Sequence, residues 1–399
     1  MANKKVQKTT EEVGRKKMKY TISKFRLKEV LILTILYHVA FIRFSYFEKY
    51  NIIRYIGISL IAIYSILRFN KLIQSLDKKF FKIFLIYSIT VVYSCIINFG
   101  IHTLTNTIIN GLMYIIMFFE FFSIFSFFKQ KQRTQSIYMT FYYLSVAYVF
   151  LTDIMIIINP MLFMKNGNYY FVGNKFSVVY IHFNLIMFYM LMKNSNKYDG
   201  KTVIFMILTL IISIKIECMT GVIALLAMIV IKSLPTKILD NGNFAILLLI
   251  ASGMFSFKYD NILQNRYVQF FVVEILNRNL NLTGRTVIFK HIPAIINKKL
   301  FFGYGHGTSY EVFKKTINYP NSQNGLVDMI VEDGIIATML FVFIIKHIFN
   351  RNKDNINATI IKTIICTFFI ISSFEIVLGS MMIAWLALLY NKEKEGINI

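Results

Sequence analysis

The chain alternates between apolar stretches of about membrane length and short polar connections, with one much longer polar stretch at 259–324. A transmembrane helix needs ~20 predominantly apolar residues. Such windows lie at roughly 28–47, 50–68, 80–99, 105–128, 137–158, 176–193, 202–216, 218–234, 243–258, 325–349, 358–378 and 379–391. The pattern predicts an all-helical polytopic membrane protein with about twelve transmembrane helices and one long external loop that contains short helices. Lys215 and Glu217 separate two short windows, where a re-entrant helix pair is the alternative.

Composition agrees with this class, because 56% of the residues are hydrophobic, 16% are charged and the mean hydropathy is +0.57. The net charge of +24 would also suit a nucleic-acid-binding protein. Lys and Arg, however, lie in the N-terminal tail and in alternate short connections, instead of on one face with interleaved aromatic residues. This distribution follows the positive-inside rule. We therefore expect both termini in the cytoplasm and no nucleic-acid partner.

This threading divides the chain into five regions. They are a basic cytoplasmic tail (1–28), transmembrane helices 1–9 (29–258), the long external loop (259–324), transmembrane helices 10–12 (325–391) and a second cytoplasmic tail (392–399). The first tail has no short apolar core followed by a cleavage site, so we expect it to be retained.

The three cysteines, Cys95, Cys218 and Cys366, fall inside predicted spans and lack the spacing of a zinc site. His38, His102 and His182 are isolated along the chain and also lack metal-ligand spacing. We expect neither disulfides nor a metal or other cofactor.

Five short segments carry most of the remaining sequence signal. In chain order they are YFVGNKF at 170–176, LTGRT at 282–286, LFFGYGHG at 300–307, QNGL at 323–326 and VEDGII at 331–336. Their order and topology resemble the Wzy-type polysaccharide polymerase and O-antigen ligase-like family, over residues 169–340. Gln323 stands where the ligases of that family carry a His before the Asn, so a catalytic base is not transferred by analogy.

The resemblance implies a glycosyltransferase on the outer face of a bacterial cytoplasmic membrane. Such an enzyme takes an oligosaccharide repeat linked to undecaprenyl pyrophosphate and transfers the growing glycan onto a second lipid-linked repeat, making capsular or extracellular polysaccharide. We expect a metal-independent, inverting reaction. The implied partners are the lipid-linked donor and acceptor, membrane lipid, a chain-length regulator and a flippase.

Arginine suits the pyrophosphate leaving group, because its planar guanidinium stays charged and pairs bidentately with phosphate oxygens. The external candidates are Arg266, Arg278 and Arg285. Arg285 is the favoured catalytic residue because of its motif position. For Arg266 and Arg278, contact with lipid headgroups explains the charge equally well.

Three further cations, Arg43, Arg54 and Lys175, lie toward the outside. Snorkelling to the membrane surface is the favoured role of the two arginines. The Gly-Asn-Lys-Phe context makes Lys175 a candidate for substrate binding.

The turn at 303–307 places three glycines in five residues, so backbone N–H groups there can approach an anion closely. A tight turn explains Gly303 and Gly305 equally well. His306 is the favoured general base, because it is the external histidine in a flexible, polar setting.

Asp328 and Glu332 share one helix face at the outer end of span ten, with Asn324 at its start. Carboxylates in a membrane span are costly unless they are used or paired, so substrate contact and pairing with a neighbouring cation are both open. Glu274 and Glu311 are further candidate bases. Asp333 and Gly334 predict a helix break.

The pattern 287, 288, 291, 292, 295 predicts an amphipathic helix along the membrane surface after Arg285. His291 falls on its apolar side, where a packed histidine is the favoured interpretation.

Three alternatives compete with a polymerase. A ligase of the same fold would move the finished glycan onto a different acceptor, and no residue separates the two. A flippase or transporter of twelve spans predicts internal repeats and midplane Gly or Pro breaks, whereas this chain has four prolines and concentrates its motifs outside. A structural scaffold would leave the motif series without a purpose.

Overall fold

The computed structural model describes residues 27–43, 50–158, 169–270, 273–274, 284–353 and 355–390. The helices are α1 Leu27–Phe41, α2 Tyr50–Leu67, α3 Phe69–Gln74, α4 Lys78–Ile97, α5 Thr107–Gln130, α6 Thr134–Ile158, α7 Lys175–Lys193, α8 Gly200–Lys215, α9 Met219–Ser233, α10 Thr236–Leu239, α11 Gly242–Phe257, α12 Tyr259–Leu263, α13 Arg266–Phe270, α14 Arg285–Lys298, α15 Ser309–Ile317, α16 Gly325–Arg351, α17 Ile356–Ile371 and α18 Ser380–Tyr390. Strands β1 Tyr169–Tyr170 and β2 Gly173–Asn174 pair antiparallel.

The predicted all-helical class is confirmed, and each apolar window contains one helix. Within the described part of the chain, α4, α5, α6 and α7 are long and apolar enough to cross a membrane. Shorter apolar helices are residues 52–67 of α2 together with α9, α11, α17 and α18. Arg278 and most of the two predicted tails lie outside the described residues.

Large apolar side chains cover much of the outer surface of this bundle. Leu67, Ile158 and Leu104 are 79%, 77% and 72% exposed. Soluble monomers rarely expose contiguous apolar patches of this kind, whereas a lipid-facing surface requires them.

Helices α7, α17 and α18 form the centre of the bundle, where most side chains are buried. Trp385 of α18 stacks on Phe188 of α7 with ring centroids 4.7 Å apart. Stacked aromatic rings bury large apolar areas. The centre is therefore mostly apolar and closely packed, and the residues of the candidate site described below lie toward the predicted outer ends of the helices.

Short polar residues set the starts of many helices, because their side chains accept hydrogen bonds from backbone N–H groups left unpaired in the first turn. Asp77, Asn106, Asn174, Asp199, Asn241, Asn324 and Asn355 cap helices in this way. Asn and Asp between apolar windows therefore mark the helix boundaries.

Residues of the long polar stretch fold onto the bundle through a second, smaller core. The buried residues of this core are Tyr259, Ile288, Phe289, Ile292, Ile295, Ile296, Val312, Phe313, Val327 and Val331. The apolar face of α14 thus packs against α16. The predicted packing of His291 is wrong, because His291 lies on the exposed face of α14. The buried stripe runs through Ile288, Ile292 and Ile295 and leaves position 291 outside.

Candidate functional site

Helix α16 is broken near its predicted outer end. Asn324 caps its start, and Gly334 has φ 78° and ψ 172°, which no helical residue adopts. The helix break predicted at Asp333–Gly334 is confirmed. A break inside an apolar bundle leaves carbonyl and N–H groups that need new partners.

The Gly-rich turn supplies those partners. Four backbone hydrogen bonds join the two segments: Tyr304 N–H to the Val331 carbonyl (2.8 Å), Gly305 N–H to Glu332 (2.8 Å), Ile335 N–H to Leu300 (2.9 Å) and Ile336 N–H to Phe301 (3.4 Å). The Gly-rich turn therefore supplies hydrogen-bond partners for backbone groups that the break leaves unpaired.

Only glycine fits where these two segments meet. Gly303 has φ 67°, and a Cβ there would lie 2.4 Å from the Glu332 carbonyl oxygen. Gly334 has φ 78°, and a Cβ there would lie 2.3 Å from the Phe301 carbonyl oxygen. The N–H groups of Gly303 and Gly305 are bound to the Lys299 and Glu332 carbonyls. Anion binding by these glycines stays a prediction, and the structure gives both a role in packing.

His306 leaves the turn into a confined position. Its Nδ1 lies 3.1 Å from Asp333 Oδ1 and 3.6 Å from Glu332 Oε2. Its ring packs on Tyr114 with centroids 4.1 Å apart, and Tyr114 in turn shares a hydrogen bond of 2.9 Å with the Tyr87 hydroxyl. The expected flexible setting of His306 is wrong, since a ring contact and two carboxylates hold the imidazole.

The charges around His306 keep its imidazole protonated at neutral pH. Burial alone lowers the pKa of His306, but the charge and hydrogen bond of Asp333 and the charge of Glu332 outweigh it and raise the pKa to about 9. The imidazole is therefore protonated at pH 7 and cannot accept a second proton. A base role for His306 requires the proton to leave first.

Asp328 and Glu332 share one face of α16, as their spacing predicts, and Ser309 at the start of α15 joins them. Its hydroxyl donates to Asp328, and its N–H donates to Glu332 Oε1 at 3.2 Å. Ser322 Oγ also donates to Asp328, at 2.9 Å. We call His306, Asp328, Glu332 and Asp333 the imidazole–carboxylate cluster. The side chains of Glu332 and His306 are 15% and 19% exposed and that of Asp333 is 2% exposed, so Glu332 and His306 are the members that a substrate can reach.

Glu311 serves as an anchor for α15. It accepts hydrogen bonds from the N–H groups of Thr103 (2.8 Å) and Leu104 (3.0 Å) and from Lys315 Nζ (2.5 Å). Although burial opposes ionisation, these donors lower the pKa of Glu311 to about 2. A carboxylate stabilised to this degree is a poor proton acceptor at neutral pH.

Arg285, the first residue of α14, reaches the connection between α17 and α18. Its Nη2 lies 3.2 Å from Glu375 Oε1 and donates to the Phe374 carbonyl at 3.1 Å. The same nitrogen lies 3.5 Å from the side-chain oxygen of Gln323. Arg285 is thus held beside the start of α16, and Glu375 is its ionic partner.

A small cavity adjoins this ion pair. Arg43, Ser177, Tyr180, Glu375 and Gly379 are among its lining residues, and its water-accessible volume is about 70 Å³. The buried Tyr180 hydroxyl has no hydrogen-bond partner among the described residues. A buried hydroxyl without a partner is costly, so the cavity has an unused donor for a ligand.

Two of the cations predicted from the sequence interact electrostatically with Glu375. They are Arg285, which is its ion-pair partner, and Lys175. We call Arg43, Lys175, Tyr180, Arg285 and Glu375 the cation pocket. The five residues comprise three cations and one carboxylate.

The remaining candidates lie apart from these two groups or have structural partners. Arg266 is exposed on α13, and Glu274 is exposed as well. Arg54 donates to Met117 Sδ at 3.4 Å. Asn324 Nδ2 donates to the Ser252 carbonyl at 2.7 Å, while Asn324 Oδ1 caps α16. A substrate-binding role for Arg266 and Asn324 stays a prediction.

Helix α16 connects the two groups. Gln323 contacts Arg285, and Asp328 and Glu332 follow along the same helix, so the cation pocket and the cluster are separated by roughly 8–14 Å along the axis. No catalytic or binding role was predicted for Asp333 or Glu375, although a charge inside a span, such as Glu375, indicates a residue that lines a cavity. Their signal was present, since both are carboxylates inside apolar windows, but their partners are distant in the chain.

Compared with known proteins, the sequence matches no family model, no curated protein and no solved structure. Among the described residues, no group of three or more His, Cys, Asp or Glu side chains has the arrangement of a metal site.

Proposed function

We propose that the chain is a polytopic glycosyltransferase of the bacterial cytoplasmic membrane that joins undecaprenyl-pyrophosphate-linked oligosaccharide repeats on the outer face. Twelve spans with both termini cytoplasmic bring 259–324 to that face. The observation that carries the proposal is the cation pocket, where Arg285 and Lys175 act on one carboxylate beside Arg43 and an unpartnered Tyr180 hydroxyl.

The cation pocket suits the leaving group. A departing lipid pyrophosphate carries two or three negative charges, and fixed cations stabilise that charge as it develops. Arg285 is bound to Glu375 in the free protein, so an arriving phosphate competes with that carboxylate. In this proposal the cations perform the charge stabilisation that a metal ion provides in other transferases, and the reaction is metal-independent.

The imidazole–carboxylate cluster suits the acceptor. A hydroxyl of the acceptor sugar attacks the anomeric carbon of the donor, the new C–O bond forms as the bond to pyrophosphate breaks, and configuration inverts. Glu332 takes the hydroxyl proton, because it is partly exposed and lies 3.6 Å from the imidazolium of His306. The imidazolium of His306 lies beside Glu332, and the Ser309 N–H donates to Glu332 Oε1 at 3.2 Å, so both orient the carboxylate. The product stays on the acceptor lipid, and undecaprenyl pyrophosphate leaves.

The test is the glycan length profile of cells that express the wild type, Arg285→Ala, Arg285→Lys or Lys290→Ala at matched membrane abundance. Lys290→Ala removes one exposed charge from the same helix, and it is expected to leave long polymer intact. Arg285→Ala is expected to leave single lipid-linked repeats, and Arg285→Lys to restore part of the chain length, because lysine keeps the charge but loses the bidentate geometry.

Long polymer from Arg285→Ala at equal abundance would refute the role of the cation pocket. Repeats that stay on the cytoplasmic side when the gene is deleted would instead indicate a flippase. Polymer of normal length that is no longer moved onto a second acceptor would indicate a ligase.

A further inference from the structure

A groove between α4 and α16, at the opposite end of α16 from the cation pocket, combines charge with apolar surface. Its cavity volume is about 460 Å³, far larger than the cavity of the cation pocket. The start of α4 and the end of α16 form this end of the bundle. The distribution of Lys and Arg assigns it to the cytoplasmic side.

The groove changes character with depth. The end of the groove nearest the cytoplasm is lined by Lys79, Lys346, His347 and Arg351. Its wall is lined by Ile83, Ile86, Leu340 and Phe343. Along α16, Leu340 lies roughly 16 Å deeper than Arg351, and along α4, Ile86 lies roughly 10 Å deeper than Lys79. The cations thus lie at interfacial depth and the apolar wall lies at the depth of acyl chains.

The apolar wall is open to its surroundings. Ile86 is 54% exposed and Phe343 is 56% exposed. Such a wall faces the hydrocarbon of the bilayer when the helices are inserted. An occupant of the groove therefore needs an apolar part as well as a charge.

The local charges do not cancel. Asp77 accepts from His347 Nε2 at 2.9 Å and from Arg351 Nη1 at 2.9 Å, so this carboxylate is already paired. Lys79 and Lys346 have no ion-pair partner among the described residues. The groove therefore carries a net positive charge of the kind that binds phosphate groups.

We propose that this groove binds one anionic phospholipid of the inner leaflet. Its phosphate lies at Lys79 and Lys346, and an acyl chain covers Ile83 and Phe343. The proposal rests on the cytoplasmic orientation of this end, and it is independent of the transferase reaction.

The test uses the full chain purified in detergent, titrated with phosphatidylglycerol and analysed by native mass spectrometry. The test variant is Lys79→Gln with Lys346→Gln, and the control is Lys78→Gln with Lys82→Gln. The control removes the same charge from exposed positions of α4 that do not line the groove. The test variant is expected to bind roughly thirtyfold more weakly than the wild type, because each lysine near a lipid surface changes binding about fivefold. Lys346→Gln alone is expected to weaken phosphatidylglycerol binding roughly fivefold, and it is the test variant if the double variant aggregates.

Retention of phosphatidylglycerol by the control, together with its loss from the test variant, supports the site. Equal weakening in both pairs would reduce the effect to diffuse surface charge and overturn the proposal. Displacement of the lipid by millimolar inorganic phosphate would overturn it in favour of a free-anion site. Equal retention of phosphatidylcholine would show that the charge has no role.

Discussion

Replacement of Gly303 by Ala tests whether the Gly-rich turn is docked into the break of α16. The added Cβ would lie 2.4 Å from the Glu332 carbonyl oxygen and 2.6 Å from the Gly334 nitrogen, which are both backbone atoms that cannot rotate away. Gly303 also has φ 67°, a conformation that costs an alanine about 1–2 kcal/mol.

The expected loss of stability is the sum of three effects. Conformational strain contributes about 1–2 kcal/mol. Overlap with the backbone contributes about 1–3 kcal/mol, as in an overpacked core. Displacement of the turn weakens the hydrogen bonds of Tyr304 and Gly305 to α16, at about 1 kcal/mol each. The total is roughly 4–7 kcal/mol.

The chain offers a control for strain alone. Gly100 has φ 76°, but a Cβ there meets nothing within 4 Å, so Gly100→Ala is expected to cost only the strain of about 1–2 kcal/mol. Gly200 has open space and no positive φ, so Gly200→Ala is expected to be neutral.

The assay is thermal unfolding in detergent, followed by the fraction of monodisperse protein that remains after heating. An unfolding entropy of about 2.1 cal/mol/K per residue converts 1 kcal/mol into roughly 1 °C for 399 residues. Gly303→Ala is expected to lower the apparent Tm by roughly 5 °C, against 1–2 °C for Gly100→Ala. Equal shifts in the two variants would refute the close approach, and α16 would then have no docked turn.

Two further predictions concern pH and the external segment. Glu311→Gln is expected to destabilise the protein at pH 7 by about 1.5–3 kcal/mol, because charge-assisted hydrogen bonds to Thr103 and Leu104 are lost. The folded pKa of about 2 lies below the ordinary 4.5, so this stabilisation is complete above pH 4.5 and fades as the pH falls toward 2. Thermal unfolding from pH 7 to 3 checks this prediction, with the exposed Glu274→Gln as the control. A difference in Tm between wild type and Glu311→Gln that does not narrow in acid would contradict it. The folded pKa of His306 of about 9 lies above the ordinary 6.5, so its stabilisation is complete below pH 6.5 and is lost as the pH rises through 9. The difference in Tm between wild type and His306→Gln should therefore narrow above pH 9. The exposed His291→Gln is the control. A difference that widens above pH 9 would refute the ion pair of His306 with Asp333.

Local sequence was sufficient for the helices and for the break at Gly334, since apolar length, Asn or Asp caps and a Gly after two acids are all short-range signals. Long-range pairing was not predictable in the same way. Nothing near Arg285 indicates that Glu375 is its partner, and nothing near Glu311 indicates the backbone of 103–104.

The role of His306 depended on the same kind of pairing. Its neighbours in the chain are glycines and a tyrosine, which suggest an exposed and mobile ring. Asp333 and Tyr114, which hold the ring, come from two other helices. A pKa set by such contacts follows from the fold and not from the motif.

The docking of 300–305 onto 331–336 also bears on how the protein is assembled. In the proposed topology, the helix break would enter the bilayer with its peptide groups unpaired, at a cost of several kcal/mol per group. Translation runs from the N-terminus, so the turn leaves the ribosome before the break does. Because of this order, the hydrogen-bond partner of each interrupted peptide group is synthesised first. A circular permutation that reversed the order would have to insert the broken span before its complement exists.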